Sequence, residues 1–177
     1  MNDAVLVTRA DAVCVITLNR PEARNALNRE LTLKLCETVF ALEHDPSVRC
    51  IVIRGGEHFM AGGDVKAFRD GFVGGAAADI RMKFEALLRD AHALILSLRR
   101  MPKPVLASVN GSAAGFGMSL MMACDLAIAA DNACFTLAYS LIGATPDGGS
   151  TFHLPRIVGA KKAMEIALLG ERFDATT

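Results

Sequence analysis

The chain has no tryptophan and a single tyrosine; nine phenylalanines supply the rest of its aromatic content. Flat platforms on which bases stack are therefore scarce. Charge of one sign is missing too, because 19 Lys and Arg balance 19 Asp and Glu. A neutral chain sets up no long-range field to gather nucleic acid or an anionic membrane, so neither is an expected partner. A local basic patch still suits a phosphate-bearing ligand. The five cysteines (Cys14, Cys36, Cys50, Cys124 and Cys134) include no C-x-x-C pair. Most sit inside apolar runs, which is the pattern of reduced core thiols in a cytoplasmic protein. No metal-ligand cluster stands out, and no Ser-His-Asp spacing supports a nucleophilic hydrolase. Met1-Asn2-Asp3-Ala4 lacks a basic segment leading into a long apolar stretch, so no signal peptide is expected. No apolar run is long enough to span a bilayer.

What the chain does have is 177 residues at 52% apolar content. That suffices for one domain, residues 1–177, with a real core. Strands are expected at Val5–Thr8 and Val13–Leu18, around a turn at Ala10-Asp11. Asn19–Leu27 reads as a loop. Asn28 is placed to cap a helix running to about His44, with Leu31, Leu35, Val39 and Leu42 on one face and Asp45-Pro46 at its end. Val48–Ile53 reads as a buried strand. Gly71–Ala78, rich in Gly and Ala, reads as mobile. A long helix is expected from Asp79 to about Arg99, with a core stripe from Ile80 through Phe84, Leu87 and Ala91 to Leu98. Val105–Val109 is the next strand, then a helix over Met118–Ala123. Strands at Leu126–Ala129 and near Cys134–Leu137 lead to helices over Ser150–Ile157 and Ala160–Leu169. Strands alternating with helices imply an α/β fold with crossover connections. Gly170–Thr177 reads as a loop in which Asp174 caps a helix that does not follow, the mark of a truncated or incompletely ordered chain rather than of a frayed end.

Two glycine-marked turns carry the chemistry: Phe59-Met60-Ala61-Gly62-Gly63-Asp64-Val65-Lys66 and Asn110-Gly111-Ser112-Ala113-Ala114-Gly115-Phe116-Gly117. Each follows a strand-like run and enters a helix-like one. The start of a helix presents backbone N–H groups without partners, and negative charge is favoured there. Two such turns face to face would hold one oxygen atom as an oxyanion hole.

With these motifs, Leu18-Asn19-Arg20-Pro21, Arg24-Asn25-Ala26-Leu27, Cys124-Asp125 and Leu154-Pro155-Arg156-Ile157-Val158-Gly159 complete a pattern that resembles the crotonase superfamily, the enoyl-CoA hydratases and isomerases. The resemblance covers nearly the whole chain. It implies a repeated ββα spiral, with the family's C-terminal trimerisation helices largely missing here, and a homotrimer or hexamer as the default assembly. It implies an acyl-CoA thioester as substrate and no separate cofactor, coenzyme A being part of that substrate. It makes the backbone N–H groups of Ala61 and Phe116 the oxyanion donors, with Gly115 and Gly117 allowing close approach. It places Arg24, Ala26, Ala61, Gly62, Gly63, Asp64, Lys66, Gly115 and Tyr139 against the substrate, with Arg24 and Lys66 as candidates for the phosphates of coenzyme A.

Family hydratases use two glutamates; the aligned residues here are Ser119 and Tyr139, so that mechanism is poorly supported. Asp147, eight residues after Tyr139, resembles the base of family isomerases, including those acting on phenylacetyl-CoA-derived epoxides and on dienoyl-CoA. One carboxylate suffices to take a proton from one carbon and return it to another. An apolar lining of Phe116, Tyr139, Leu141 and Phe152 is expected around it. The plainer reading of Asp147 is a cap for the following helix, with Gly148-Gly149 as its turn. Asp64 reads as a helix cap, Lys66 as a solvated charge, Ser119 as a small packing residue, Tyr139 as core filling and Asp125 as a backbone brace. His58 reads as an exposed loop residue. The expected activity is an enoyl-CoA isomerase. The alternatives are a hydratase with relocated acid–base groups or a non-catalytic acyl-CoA binding protein.

Overall fold

The computed structural model describes residues 3–73 and 77–177. Strands β1 (Val5–Ala10) and β2 (Val13–Leu18) form an antiparallel hairpin that turns through Asp11 at φ +52°. In β2 the alternation is visible in burial: Cys14, Ile16 and Leu18 point into the core. Helix α1 (Arg29–His44) starts where its cap predicts, with Asn28 Oδ1 accepting the Leu31 N–H at 2.9 Å. Leu31, Leu35, Val39 and Leu42 are its buried face, the 3–4 spacing of a helix packed on one side.

Next come β3 (Cys50–Arg54), α2 (Val65–Phe72), α3 (Ala77–Arg100) and β4 (Val105–Val109). Then follow β5 (Ser112–Ala114), α4 (Phe116–Ala123), β6 (Leu126–Ala129) and β7 (Cys134–Thr136). The chain ends with α5 (Ser150–Val158), α6 (Ala160–Leu169) and β8 (Phe173–Asp174). The main sheet has the order β1-β2-β3-β4-β6, parallel from β2 onward. A small second sheet has the order β5-β7-β8. The α/β class and the recurring strand–strand–helix unit are as expected.

Several boundaries differ from expectation. β1 runs two residues further, and the third strand begins at Cys50 rather than Val48. β5 was not foreseen: Ser-Ala-Ala has weak strand propensity, and the strand exists because it pairs with β7 and bridges to Met60. Helix α4 starts at Phe116, two residues before the expected Met118. The last residues are not merely a loop, since Phe173 and Asp174 pair with β7 and the Phe173 ring stacks on Phe135 at 5.5 Å. Asp174 does act as a cap, accepting from the Thr176 and Thr177 amides at 3.0 and 3.1 Å. Of Gly71–Ala78, expected to be mobile, Gly71 and Phe72 belong to the end of α2 and Ala77 and Ala78 to the start of α3, while 74–76 lie outside the described residues. Among the described residues no helix is long and apolar enough to cross a membrane, and all five cysteines are free thiols.

One contact sets the distance between the two glycine-marked turns. A β-carbon on Gly117 would lie 2.2 Å from the carbonyl oxygen of Met60. Backbone fills that space, so only glycine lets α4 approach the first turn this closely. Gly117→Ala is expected to lower stability by about 1–3 kcal/mol or more, as overpacking does, read as a lower urea midpoint at unchanged slope.

Candidate active site

The two turns meet as strands. Phe59 N–H donates to Asn110 O at 2.8 Å, Met60 N–H to Ser112 O at 3.0 Å, and Ala114 N–H to Met60 O at 2.9 Å. The opposite edge of the first turn is taken by the loop before α1. There Ala61 N–H donates to Arg24 O at 3.0 Å, Leu27 N–H to Gly62 O at 2.7 Å, and Asp64 N–H to Leu27 O at 2.9 Å.

This overturns one expectation. The Ala61 amide is spent on Arg24 and is turned away from any ligand, so it is not an oxyanion donor. An amide left free on this turn is that of Gly63. Described peptide bonds are all trans, so an N–H points opposite to the carbonyl that shares its plane. Gly62 O points at Leu27; the Gly63 N–H therefore points away from Leu27, toward the side where β5 and α4 approach. It has no hydrogen-bond partner among the described residues. The Phe116 amide, the other expected donor, has its direction fixed by the peptide plane it shares with Gly115. Gly115 O accepts the Ser119 N–H at 3.1 Å and so points along α4. The Phe116 N–H, first in that helix, points back out of its start. The turns touch: a β-carbon on Gly115 would lie 3.6 Å from Gly62 Cα.

Gly63 and Phe116 line one cavity of about 190 Å³, together with Ala61, Gly62, Gly115, Tyr139 and Asp147. Its apolar wall differs from expectation. Leu141 and Phe152 are exposed and do not line it. Phe68 of α2 and Phe84, Leu87 and Leu88 of α3 do, with Ile142. The Phe68 and Phe84 rings meet edge to face, centroids 5.4 Å apart at 86°. Arg24, Ala26, Asp64 and Lys66 lie outside this lining.

The capping role for Asp147 is not what forms. Gly149 occupies the N-cap of α5 without a side-chain bond. The backbone carbonyl of Asp147 accepts the Ser150 N–H at 3.0 Å and the Ser150 hydroxyl at 2.7 Å. Its carboxylate is left for another partner: the Tyr139 hydroxyl donates to Asp147 Oδ1 at 2.5 Å. Ser119 Oγ, fully buried, lies 3.1 Å from that hydroxyl, 3.1 Å from Asp147 O and 3.3 Å from Gly115 O. Ser119 is thus the hub of a polar cluster rather than a packing residue, and Tyr139 is more than core filling. Burial pushes the Tyr139 phenol well above its ordinary value, and the neighbouring Asp147 adds to the rise. The phenol therefore stays a donor at neutral pH. Ala138, beside it, sits in the left-handed region at φ +57°, a conformation that costs a non-glycine residue about 1–3 kcal/mol.

Asp64 caps α2 through the Ala67 N–H at 3.0 Å and pairs with Arg20 at 3.2 Å. Both carboxylate oxygens are engaged, which makes it a brace of the loop before α1. Asn25 was missed in the sequence. It is buried at φ +57°, donates to His58 O at 2.8 Å and Phe59 O at 3.1 Å, and accepts the Arg20 N–H at 2.8 Å. The R-N step ahead of the first turn is its only local signal. His58 is half-buried, and its Nδ1 accepts the Ser112 N–H at 3.2 Å. Asp125 braces β4, accepting the Val105 N–H at 2.9 Å. Arg24 and Lys66 are exposed cations, without an ion pair among the described residues. No group of three or more metal-ligating side chains occurs among those residues.

A family model described as enoyl-CoA hydratase/isomerase matches residues 8–177. A 1,2-epoxyphenylacetyl-CoA isomerase of Escherichia coli K12 is 39% identical over 176 residues, 99% of this chain and 66% of its own. A 4-chlorobenzoyl coenzyme A dehalogenase of an Arthrobacter species is 39% identical over 172 residues, 97% of this chain and 61% of its own. Among solved structures, an enoyl-CoA hydratase from Polaromonas sp. JS666 superimposes with a TM-score of 0.88 at 37% identity, covering 97% of this chain and 65% of that one. The chain spans 61–66% of the length of these relatives.

Proposed function

The chain belongs to the enoyl-CoA hydratase/isomerase family, and from that premise we propose that it isomerises an acyl-CoA thioester by way of an enolate. Asp147 takes a proton from one carbon of the acyl group. The electron pair moves onto the thioester oxygen, held by the Gly63 and Phe116 amides. Asp147 then returns the proton elsewhere. The observation that carries this reading is the position of Asp147: the residue lines the same cavity as Gly63 and Phe116, and its carboxylate is not spent on capping α5. Each donor contributes because the oxygen gains charge only as the C–H bond breaks; one such donor is typically worth about 2.7–4 kcal/mol.

The cavity favours a ring-sized acyl group. A dry apolar cavity of about 150 Å³ is known to take benzene, and this one is about 190 Å³ with a wall of Phe and Leu. Two relatives are named for epoxyphenylacetyl and chlorobenzoyl thioesters, which agrees with an aromatic acyl-CoA. The exposed Arg24 and Lys66 are assigned to the coenzyme A phosphates, and no further cofactor is required. Residues 1–177 form one core domain in this reading, within a cytoplasmic homotrimer or hexamer. Apolar side chains open to solvent on α5 and α6, among them Phe152, Ile157, Leu168 and Leu169, suit such an assembly.

A panel of acyl-CoA thioesters, followed by mass spectrometry in deuterated water, tests the proposal. Solvent exchange with formation of an isomer is expected. Water addition to crotonyl-CoA without isomer formation would instead favour a hydratase with other acid–base groups. Binding without exchange would favour a non-catalytic carrier.

A further inference from the structure

We infer that Ser119 and Tyr139 are positioning residues that occupy one oxygen of Asp147 and so confine the travelling proton to the other. The inference rests on the reading of Asp147 as the proton shuttle and goes beyond it.

The carboxylate has two oxygens with different surroundings. Oδ1 accepts from the Tyr139 hydroxyl at 2.5 Å; Oδ2 has no partner among the described residues. A tyrosine hydroxyl carries one proton. While that proton points at Oδ1, the oxygen has little call to bind another. A proton leaving the substrate carbon then forms its new bond at Oδ2, as the C–H pair passes to the thioester oxygen. It returns from Oδ2 to the acceptor carbon. Oδ1 never changes partner, so the carboxyl group need not rotate between the two transfers.

Ser119 sets the direction of the phenol. Its Oγ lies 3.1 Å from the Tyr139 hydroxyl, on α4 and 20 residues away in sequence. Fully buried, it has only protein groups to bond. The same helix start supplies the Phe116 amide. One element therefore holds both the donor for the oxyanion and the anchor of the shuttle, so the distance between acid–base group and hole is fixed by α4.

Two readouts test this. Phenylacetyl-CoA in deuterated water reports removal of the α-proton. In Tyr139→Phe its exchange rate is expected to fall about tenfold or more, the loss of one hydrogen bond to a charged group, with the dissociation constant within about twofold. Ser119→Ala is expected to lose less, in the same direction. The second readout needs no substrate. With one tyrosine and no tryptophan in the chain, near-ultraviolet absorbance at neutral pH reports Tyr139 alone. Asp147→Asn is expected to shift the phenol band to shorter wavelength, because the hydroxyl then donates to a neutral amide oxygen instead of a carboxylate. An unmoved band overturns the pairing even if Tyr139→Phe fails to fold. Unchanged exchange in Tyr139→Phe, with exchange abolished in Asp147→Asn, overturns the positioning role and leaves the shuttle standing. Exchange retained in Asp147→Asn overturns the shuttle itself.

Discussion

Asp147→Asn is expected to lower kcat by roughly 10²–10⁴-fold, the usual contribution of a positioned acid–base group, with thioester affinity nearly unchanged. The asparagine matches the carboxylate in shape, and its Oδ1 still accepts from Tyr139. The fold should therefore hold, and thermal unfolding provides the control. What is lost is the capacity to take up and return a proton. Both amides assigned to the hole remain, so the thioester is expected still to bind, with some rate above solution. Calorimetric titration of a non-reacting thioester and steady-state kinetics on the best substrate of the panel separate the two effects. Turnover within tenfold of the parent would remove Asp147 from the chemistry. The one carboxylate of the two turns, Asp64, offers no substitute, because it is held by Ala67 N–H and Arg20.

Legibility in the sequence followed the range of the interaction. The Asn28 and Asp64 caps were readable because each bonds an amide three residues on. The stripes of α1 and α3 were readable because helical periodicity is local. The partner of an amide in the first turn was not. Whether Ala61 or Gly63 offers its N–H depends on which strand lies on which edge, and that is decided by residues 24–27 folding back over the turn. The cavity wall failed for a related reason. Leu141 and Phe152 are near Asp147 in the chain, but the loop and α5 turn them outward, and α2 and α3 fill the space instead. The Ser119–Tyr139–Asp147 cluster joins residues that carry no shared motif. Its one advance sign was that polar residues stand at both positions where the family resemblance leads one to expect glutamate.

Phe116→Pro, set against Phe116→Ala, isolates the second donor. Phe116 is the first residue of α4, and its N–H has no helical acceptor. Proline is tolerated at that position because it removes an amide that no intrahelical bond uses, and its fixed φ suits a helix start. The preceding Gly115, at φ +49° and ψ −120°, lies outside the right-handed helical region that a following proline disfavours. Both variants lose the buried ring, at a cost of about 3–5 kcal/mol; only the proline loses the N–H. Their difference is thus free of the packing change that confounds each one alone. Phe116→Pro is expected to turn over roughly 10²–10³-fold more slowly than Phe116→Ala, the cost of one oxyanion donor. The loss should appear in kcat, because the bond strengthens only as the oxygen becomes anionic. Equal kcat in the two variants would mean that the amide at the start of α4 does not meet the reacting oxygen. The charge would then have to be held elsewhere in the cavity.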